Sequence, residues 1–569
     1  MGILRTLLIF RKSVVLIVAP FVALPLLIIG TPQANCAFCV ALMAIYWMCE
    51  ALPLAVTALM PVFIFPLLGI MKSKDVAVTY LPDTSFLFIG GLIVAVAVEK
   101  CNLHQRIALR VLTVVGSQPR WIMLGFMSVT AFLSMWISNT AATAMMVPIA
   151  QSVIIELIKS SRKHHGVQVD ARDDTQLTLL RSENNHEPAK NGTRIESEQE
   201  DAVTVENMTS DELSVAKGLL ISICFAANIG GTGTITGTPP NLVLIGQLEN
   251  LYPGASTGIN FLSWMAFAIP SMVVALILCW LSLYLYFMRK SRPADENVNI
   301  MMREKYRNLP SMTFAEISVL ICFCILLVMW IFRDPKVIPG FGDFFRKGYV
   351  TDATSAMIIS FLLFVLPNEK PDFLCWRDRD TNDDPKVRGS LMDWKVMQEK
   401  FPWGVILLLG GGFALAGGVK ESGLSHVIGG VLKELEGLPI IVIQLVCILI
   451  TMGVTNICSN TVTASIFVPI VAGLAENLHI HPLTLMLPTT LACSFAFALP
   501  VGTPPNAIVF ASGMIKVTDM IVSGLIVTVL CAIVVVLNIV TYGHILLSLD
   551  EYPSWAPGGA SEVNSTLAF

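Results

Sequence analysis

Two short polar motifs each occur twice in this chain. Ser138-Asn139-Thr140 recurs as Ser459-Asn460-Thr461, and Gly237-Thr238-Pro239-Pro240-Asn241 recurs as Gly502-Thr503-Pro504-Pro505-Asn506. Hydroxyls and carboxamides supply neutral oxygens to a hard cation and N–H or O–H donors to an anion. None of the four motifs carries a fixed charge. Both proline motifs lie inside uncharged runs, 218–248 and 483–515, where paired prolines break a helix. Pro suits the first helical position and Thr suits the cap, so a half-helix is predicted just after Thr238 and just after Thr503. Its N-terminal end favours an anion, and carbonyls freed at the break can hold sodium.

The elements that must position these motifs are membrane helices. Of 569 residues 54% are hydrophobic and only 14% charged, with a mean hydropathy of +0.71. A soluble protein usually carries about 25% charged residues. Single spans are predicted near 13–31, 36–49, 51–70, 85–98, 216–247, 261–288, 314–332, 351–367, 404–419, 483–514 and 519–547. Two uncharged runs, Trp121–Ile155 and Gly437–Ala475, do not fit one crossing of about 20 residues. Each carries Ser-Asn-Thr near its middle, which predicts a re-entrant hairpin with a polar tip buried in protein or lining a cavity. Basic residues concentrate in 99–120, 289–307 and 369–400, so these are placed inside, with the N-terminus inside and the C-terminus outside. The mixed polar loop 156–215 reads as disordered. Asn564 is the sequon expected to carry glycan outside; Asn191 and Asn207 should stay bare.

The motifs keep a fixed register. Gly90-Gly91 recurs as Gly411-Gly412, and Val147-Pro148-Ile149 recurs as Val468-Pro469-Ile470, both at the same spacing that separates the two Ser-Asn-Thr copies. The two proline motifs stand closer together, by about the length of the loop 156–215, which the second half lacks. One loop insertion therefore reconciles all the matches. With the predicted topology the two halves run in opposite senses. That is an inverted-topology repeat, a plan of secondary transporters with the site at the repeat interface near the midplane.

Other functions fit less well. A net charge of −4 gives no global basic field for nucleic acid. Thirteen cysteines are scattered, mostly inside apolar runs, and frame no disulfide scaffold, and the single Cys36-x-x-Cys39 pair cannot complete a zinc site. For an intramembrane enzyme the candidates Glu99, His104, His426 and His544 fall at span ends, and no HExxH spacing occurs. The basic, apolar N-terminus resembles a signal peptide but is read as a retained first helix, because further spans follow at once.

At these motifs, and at Glu50 through Leu54, Asn102 through Arg110, Ser134 through Pro148, Leu407 through Ala416 and Thr503 through Val509, the chain resembles the divalent-anion/sodium symporter family in its animal di- and tricarboxylate branch. The resemblance implies an all-α polytopic fold of two inverted repeats, about eleven transmembrane helices plus two hairpins, working as an elevator-type homodimer in the plasma membrane. It implies sodium-coupled uptake of succinate-type dicarboxylates or citrate, with sulfate as the alternative within the family. One sodium would be held by Ser134, Ser138, Asn139 and Gly237, and a second by Thr455, Cys458, Asn460 and Gly502. Substrate carboxylates would meet Ser138, Asn139, Thr140, Thr238 and Pro239 from one half and Ser459, Asn460, Thr461, Thr503 and Pro504 from the other.

Residues 1–120 and 314–437 would form the scaffold, and 121–313 and 438–550 the moving body, followed by an external tail, 551–569. The amphipathic segment 99–110 and a counterpart near 391–402 would connect them. Two departures from the family pattern stand out: Asn456 where many animal relatives carry an acid, and Gly417 where many carry Lys.

Overall fold

The computed structural model describes residues 10–114, 118–177, 208–289, 297–335, 339–346, 348–370, 389–424, 427 and 437–557, without the side chains of 160–177, 297–299 and 301. Asn191, Asn207, His426 and Asn564 lie outside the described residues. Among those described there is no strand, only an isolated bridge between Pro367 and Ser390.

The helices of the first half, in chain order, are α1 (Arg11–Ile29), α2 (Pro32–Met48), α3 (Leu54–Thr57), α4 (Met60–Leu67), α5 (Ser73–Thr79), α6 (Asp83–Lys100), α7 (Leu103–Leu112), α8 (Pro119–Ser134), α9 (Asn139–Leu177), α10 (Ser210–Gly230), α11 (Pro239–Leu251), α12 (Phe261–Leu283) and α13 (Asn297–Arg307). The second half continues with α14 (Phe314–Arg333), α15 (Asp352–Val365), α16 (Trp394–Lys400), α17 (Trp403–Glu421), α18 (Ile440–Thr455), α19 (Asn460–Asn477), α20 (Leu483–Cys493), α21 (Pro504–Phe510), α22 (Val517–Asn538) and α23 (His544–Leu547). Eight helical stretches of the described residues are long and apolar enough to cross a membrane.

Helix starts follow local chemistry. Thr209 with Glu212 and Thr313 with Glu316 form reciprocal capping boxes that open α10 and α14. Two expectations fail locally. The span 51–70 is not one helix, because Pro53 and Pro61 each open a separate short helix, α3 and α4. The polar loop does not begin at 156 either. The α9 backbone stays helical to Leu177, since good helix formers such as Glu156, Leu157, Lys159 and Arg162 follow with no proline to stop them.

The repeat is visible in the element bounds themselves. Helices α8 and α18, and the starts of α9 and α19, keep the spacing of the two Ser-Asn-Thr motifs. The same shift pairs α5 with α16. The segment 391–402 is therefore the counterpart of 70–81, not of the amphipathic helix at 103–112, whose equivalent at 424–433 lies mostly outside the described residues. Both α12 and α22 end in a π-helical turn, Tyr284–Met288 and Ile539–Gly543, and the two helices pack together.

Packing interlocks the halves. Helix α8 lies on α10 and α18 on α20, within each half, but α9 packs on α21 of the second half and α19 packs on α11 of the first. Small residues permit this closeness. A Cβ on Gly230 would run into the Ala131 backbone, whereas one on Gly453 meets nothing within 4 Å. Charged pairs tie distant segments: Lys100 with Asp393 at 2.8 Å, Lys400 with Glu99 at 2.6 Å and Arg106 with Glu316 at 3.1 Å. The hydrogen bond from Lys100 holds the Asp393 carboxyl below its ordinary range.

The close α8–α10 approach makes a direct expectation. G230A should cost about 1–3 kcal/mol by overpacking and lower the thermal midpoint of the detergent-purified protein, while G453A should not. Equal midpoints for the two variants would contradict the packing.

Candidate functional site

Each hairpin turns at a non-helical tip. The first descends as α8, breaks over 135–138 and restarts at Asn139; the second descends as α18, breaks over 456–459 and restarts at Asn460. The last residue of each descending helix reaches across the break. Ser134 Oγ donates to Asn139 Oδ1 or to the Ala227 carbonyl, and Thr455 Oγ1 to Asn460 Oδ1 at 2.9 Å or to the Cys493 carbonyl at 2.6 Å. One hydroxyl proton serves one acceptor at a time, so each Asn oxygen keeps lone-pair capacity for a cation. Asn139 and Asn460 are half-buried, Ser138 and Thr140 exposed, Ser459 half-buried and Thr461 buried.

The proline motifs break their helices as the sequence predicts, with Thr238 and Thr503 at the cap positions of α11 and α21 in extended backbone. Each break frees carbonyls in a buried place, where an unpaired polar group costs about 1–3 kcal/mol. One asparagine satisfies two of them in each half. Asn241 Nδ2 donates to Gly231 O at 3.2 Å and Thr234 O at 2.7 Å; Asn506 Nδ2 donates to Ala496 O at 2.9 Å and Leu499 O at 3.0 Å. The three positions of one set map onto those of the other at the spacing of the proline motifs themselves. Trp264 Nε1 adds a bond to Thr232 O at 3.1 Å. The prolines at the first two positions of α11 and α21 have no N–H. The hairpin helices begin instead with Asn-Thr, so the unpaired N–H donors of the site belong mainly to the hairpin tips rather than to the proline motifs.

The structure brings the two motif types together. A Cβ on Gly231 would lie 2.7 Å from Asn139 Oδ1 and 3.2 Å from Gly237 O, so Ser134, Asn139 and Gly237 share one place. The Thr234 hydroxyl ties this break to the hairpin at Met135 O. In the second half Gly502 sits against Asn456 O and Leu499 O, beside Thr455 and Asn460. Cys458 is buried in that tip and offers no side-chain oxygen, only its carbonyl. Asn456 Nδ2 donates back within its own hairpin to Met452 O at 2.7 Å, and its Oδ1 joins the tip to the break by accepting from Ala498 N at 2.9 Å. An acid there would keep the second bond and lose the first. Gly417 lies against Met71 and Thr79.

Neutral oxygens of this kind suit a hard monovalent cation, and among the described residues no cluster of three or more His, Cys, Asp or Glu could hold a metal ion. The ionisable candidates for an enzyme have other partners: Glu99 pairs with Lys400, His104 with Val98 O at 3.1 Å and His544 with Asp550 at 2.9 Å. The motifs alone did not single out Gly231 and Thr234, and they pointed to Thr and Pro of the proline motifs rather than to the asparagines that close the breaks, Asn241 and Asn506. The shared register of those two asparagines was the available signal.

The family model described as "Sodium:sulfate symporter transmembrane region" matches residues 6–549. A Caenorhabditis elegans protein named "Sodium-dependent high-affinity dicarboxylate transporter 3" is 53% identical, covering 96% of this chain and 89% of its own length. The rat "Na(+)/citrate cotransporter" is 42% identical over 96% of this chain and 97% of its own length. The rat "Na(+)/dicarboxylate cotransporter 3" is 40% identical over 98% and 96%.

The paired asparagines carry the next expectation. Sodium should raise the thermal midpoint of the purified protein, and N139A and N460A should each need roughly tenfold more sodium for the same rise, since each loses a buried oxygen worth about 1–3 kcal/mol. Unchanged sodium titrations in both variants would reduce the tips to packing kinks.

Proposed function

The chain belongs to the sodium:sulfate symporter family, and on that premise we propose that it carries succinate-type dicarboxylates, and citrate, into the cell together with sodium. The observation that carries the reading is the doubled uncharged tip: Ser134 with Asn139 and Thr455 with Asn460, each beside a glycine of a broken helix. A multivalent anion in a membrane-embedded pocket needs compensating charge. The four motif segments contain no Lys or Arg to give it. Co-bound sodium ions and the N–H groups of the tips supply it instead. Sodium binding at both tips then builds the anion site, and the anion in turn raises sodium affinity. The relatives' names, dicarboxylate and citrate, agree with this chemistry.

The transport step in this reading is a slide of residues 121–313 and 438–550 against 1–120 and 314–437, in a homodimer of the plasma membrane with its N-terminus inside and its C-terminus outside. The distribution of bonds supports it. The pairs Lys100–Asp393, Lys400–Glu99 and Arg106–Glu316 join the two scaffold pieces, Arg333–Asp352 lies within the second of them, and Lys217–Asp519 joins the two mobile pieces. Across the boundary run hydrogen bonds and ring contacts: Thr84 Oγ1 to Glu249 at 3.4 Å, Gln247 Nε2 to Gly412 O at 3.2 Å, Arg106 Nη2 to Pro310 O at 2.8 Å, Lys420 Nζ to Leu251 O at 2.6 Å and the Phe261–Trp330 ring stack at 4.3 Å. These can break as the bodies move while each body keeps its ion pairs.

Uptake of radiolabelled succinate, citrate and sulfate, with sodium or with potassium, tests the substrate reading. Sodium-dependent succinate uptake is expected, and it should fall as pH drops through the second pKa of succinate, because a site of N–H donors and cations prefers the fully ionised acid. Sulfate uptake without succinate uptake would overturn it.

The sliding step has its own test. A cysteine pair at Thr84 and Glu249, bridged by a short thiol reagent in a background lacking other reactive cysteines, should block uptake, and reduction should restore it. Full transport with the bridge formed would rule out the slide.

A further inference from the structure

Asn228 lies near the end of α10 and reaches into the opposite half of the molecule. It is buried, and its Nδ2 donates to Thr503 Oγ1 at 3.3 Å and to Asn506 Oδ1 at 3.5 Å. The direction of this chain of bonds is forced from its far end. The Ala496 and Leu499 carbonyls only accept, so Asn506 must turn its Nδ2 to them, which leaves its Oδ1 facing Asn228. That oxygen requires a donor, so Asn228 must present its Nδ2. The Asn506 backbone N–H also donates to Thr503 Oγ1, at 3.4 Å. With N–H donors on both of its lone pairs, the Thr503 hydroxyl has only its proton left to offer.

The first half lacks this relay. The register of the proline motifs places Cys493 as the counterpart of Asn228, and Cys493 is buried and offers only a weak thiol donor. Asn241 Oδ1, the counterpart of Asn506 Oδ1, is buried without a hydrogen-bond partner. The Thr238 hydroxyl, unlike that of Thr503, makes no cap bond to its own helix. It is therefore free to turn either its proton or its lone pairs outward.

We propose that Asn228 is a positioning residue that fixes the Thr503 hydroxyl as a hydrogen-bond donor to a substrate carboxylate, making the second half the tighter of two unequal carboxylate seats. This rests on the dicarboxylate reading above. A carboxylate accepts and never donates when ionised, so a hydroxyl locked as a donor gains over one that must first reorient. Asn228 acts through Thr503 and does not itself need to touch the substrate.

A double-mutant cycle on the full-length protein tests this, using succinate uptake at saturating sodium, normalised to surface protein. N228C places at this position the residue that the other half already accommodates. It should raise the KM for succinate about tenfold with the maximal rate per surface copy retained. T503A should raise KM at least as much, and N228C/T503A should be no worse than T503A alone. Additive effects, or an unchanged KM in N228C, would overturn the inference. If N228C does not reach the surface, N228L, close to Asn in shape, must give the same non-additive result; absence of both from the membrane would make Asn228 a folding residue and also overturn it. A wild-type protein with no sodium-dependent succinate uptake would instead sink the functional reading, whereas an active wild type with an additive cycle sinks only the role of Asn228.

Discussion

Breaking a helix inside a bilayer frees carbonyls that lipid cannot satisfy, and the rest of this site depends on how they are satisfied. Asn241 closes Gly231 and Thr234, and Asn506 closes Ala496 and Leu499, each with a single amide. Because these bonds are made inside the chain, the breaks can stay open as binding surfaces at membrane depth. The cost is low conformational freedom: Gly231 and Gly237 leave no room for a side chain, and the Thr234 hydroxyl and Trp264 indole fix the break from two further directions. The hairpin tips then meet a rigid surface.

The second consequence is electrical. A site built from amides, hydroxyls and backbone groups has donors and acceptors but no net charge. In the proposed mechanism it holds a cation or an anion weakly, and both together well, since each supplies the charge the other needs. Coupling in this account is a property of composition. A lysine near the tips would bind the anion without sodium, and an aspartate would bind sodium without the anion. Asn456 belongs to this pattern, since its neutral amide oxygen ties the second tip to the second break by accepting from Ala498 N.

Much of the architecture was legible in the residues. The register of the two Ser-Asn-Thr motifs returned as the register of α8 with α18, and the Thr-Pro-Pro-Asn motifs opened half-helices where proline and threonine chemistry placed them. What was not legible had physical reasons. Periodicity cannot separate one apolar span from two short helices, so the breaks at Pro53 and Pro61 were absorbed into a single segment. Charge content suggested disorder after Ile155, but the same Glu, Lys and Arg are good helix formers and α9 continues to Leu177. Pairing 99–110 with 391–402 rested on amphipathic character alone, and the element register matches α5 with α16 instead. Asn228 carries no motif at all. Its partner Thr503 is far away in the chain, and only the packing of α10 against α21 brings them together.

The central claim is that cations complete the anion site. The most direct measurement is the equilibrium binding of labelled succinate to the purified protein, in detergent or nanodiscs, across a series of sodium concentrations balanced with potassium. No saturable binding is expected in potassium alone. As sodium rises, the apparent Kd should fall more steeply than its first power, because two tips must fill before the anion is held. Succinate binding with the same Kd in sodium and in potassium would contradict it.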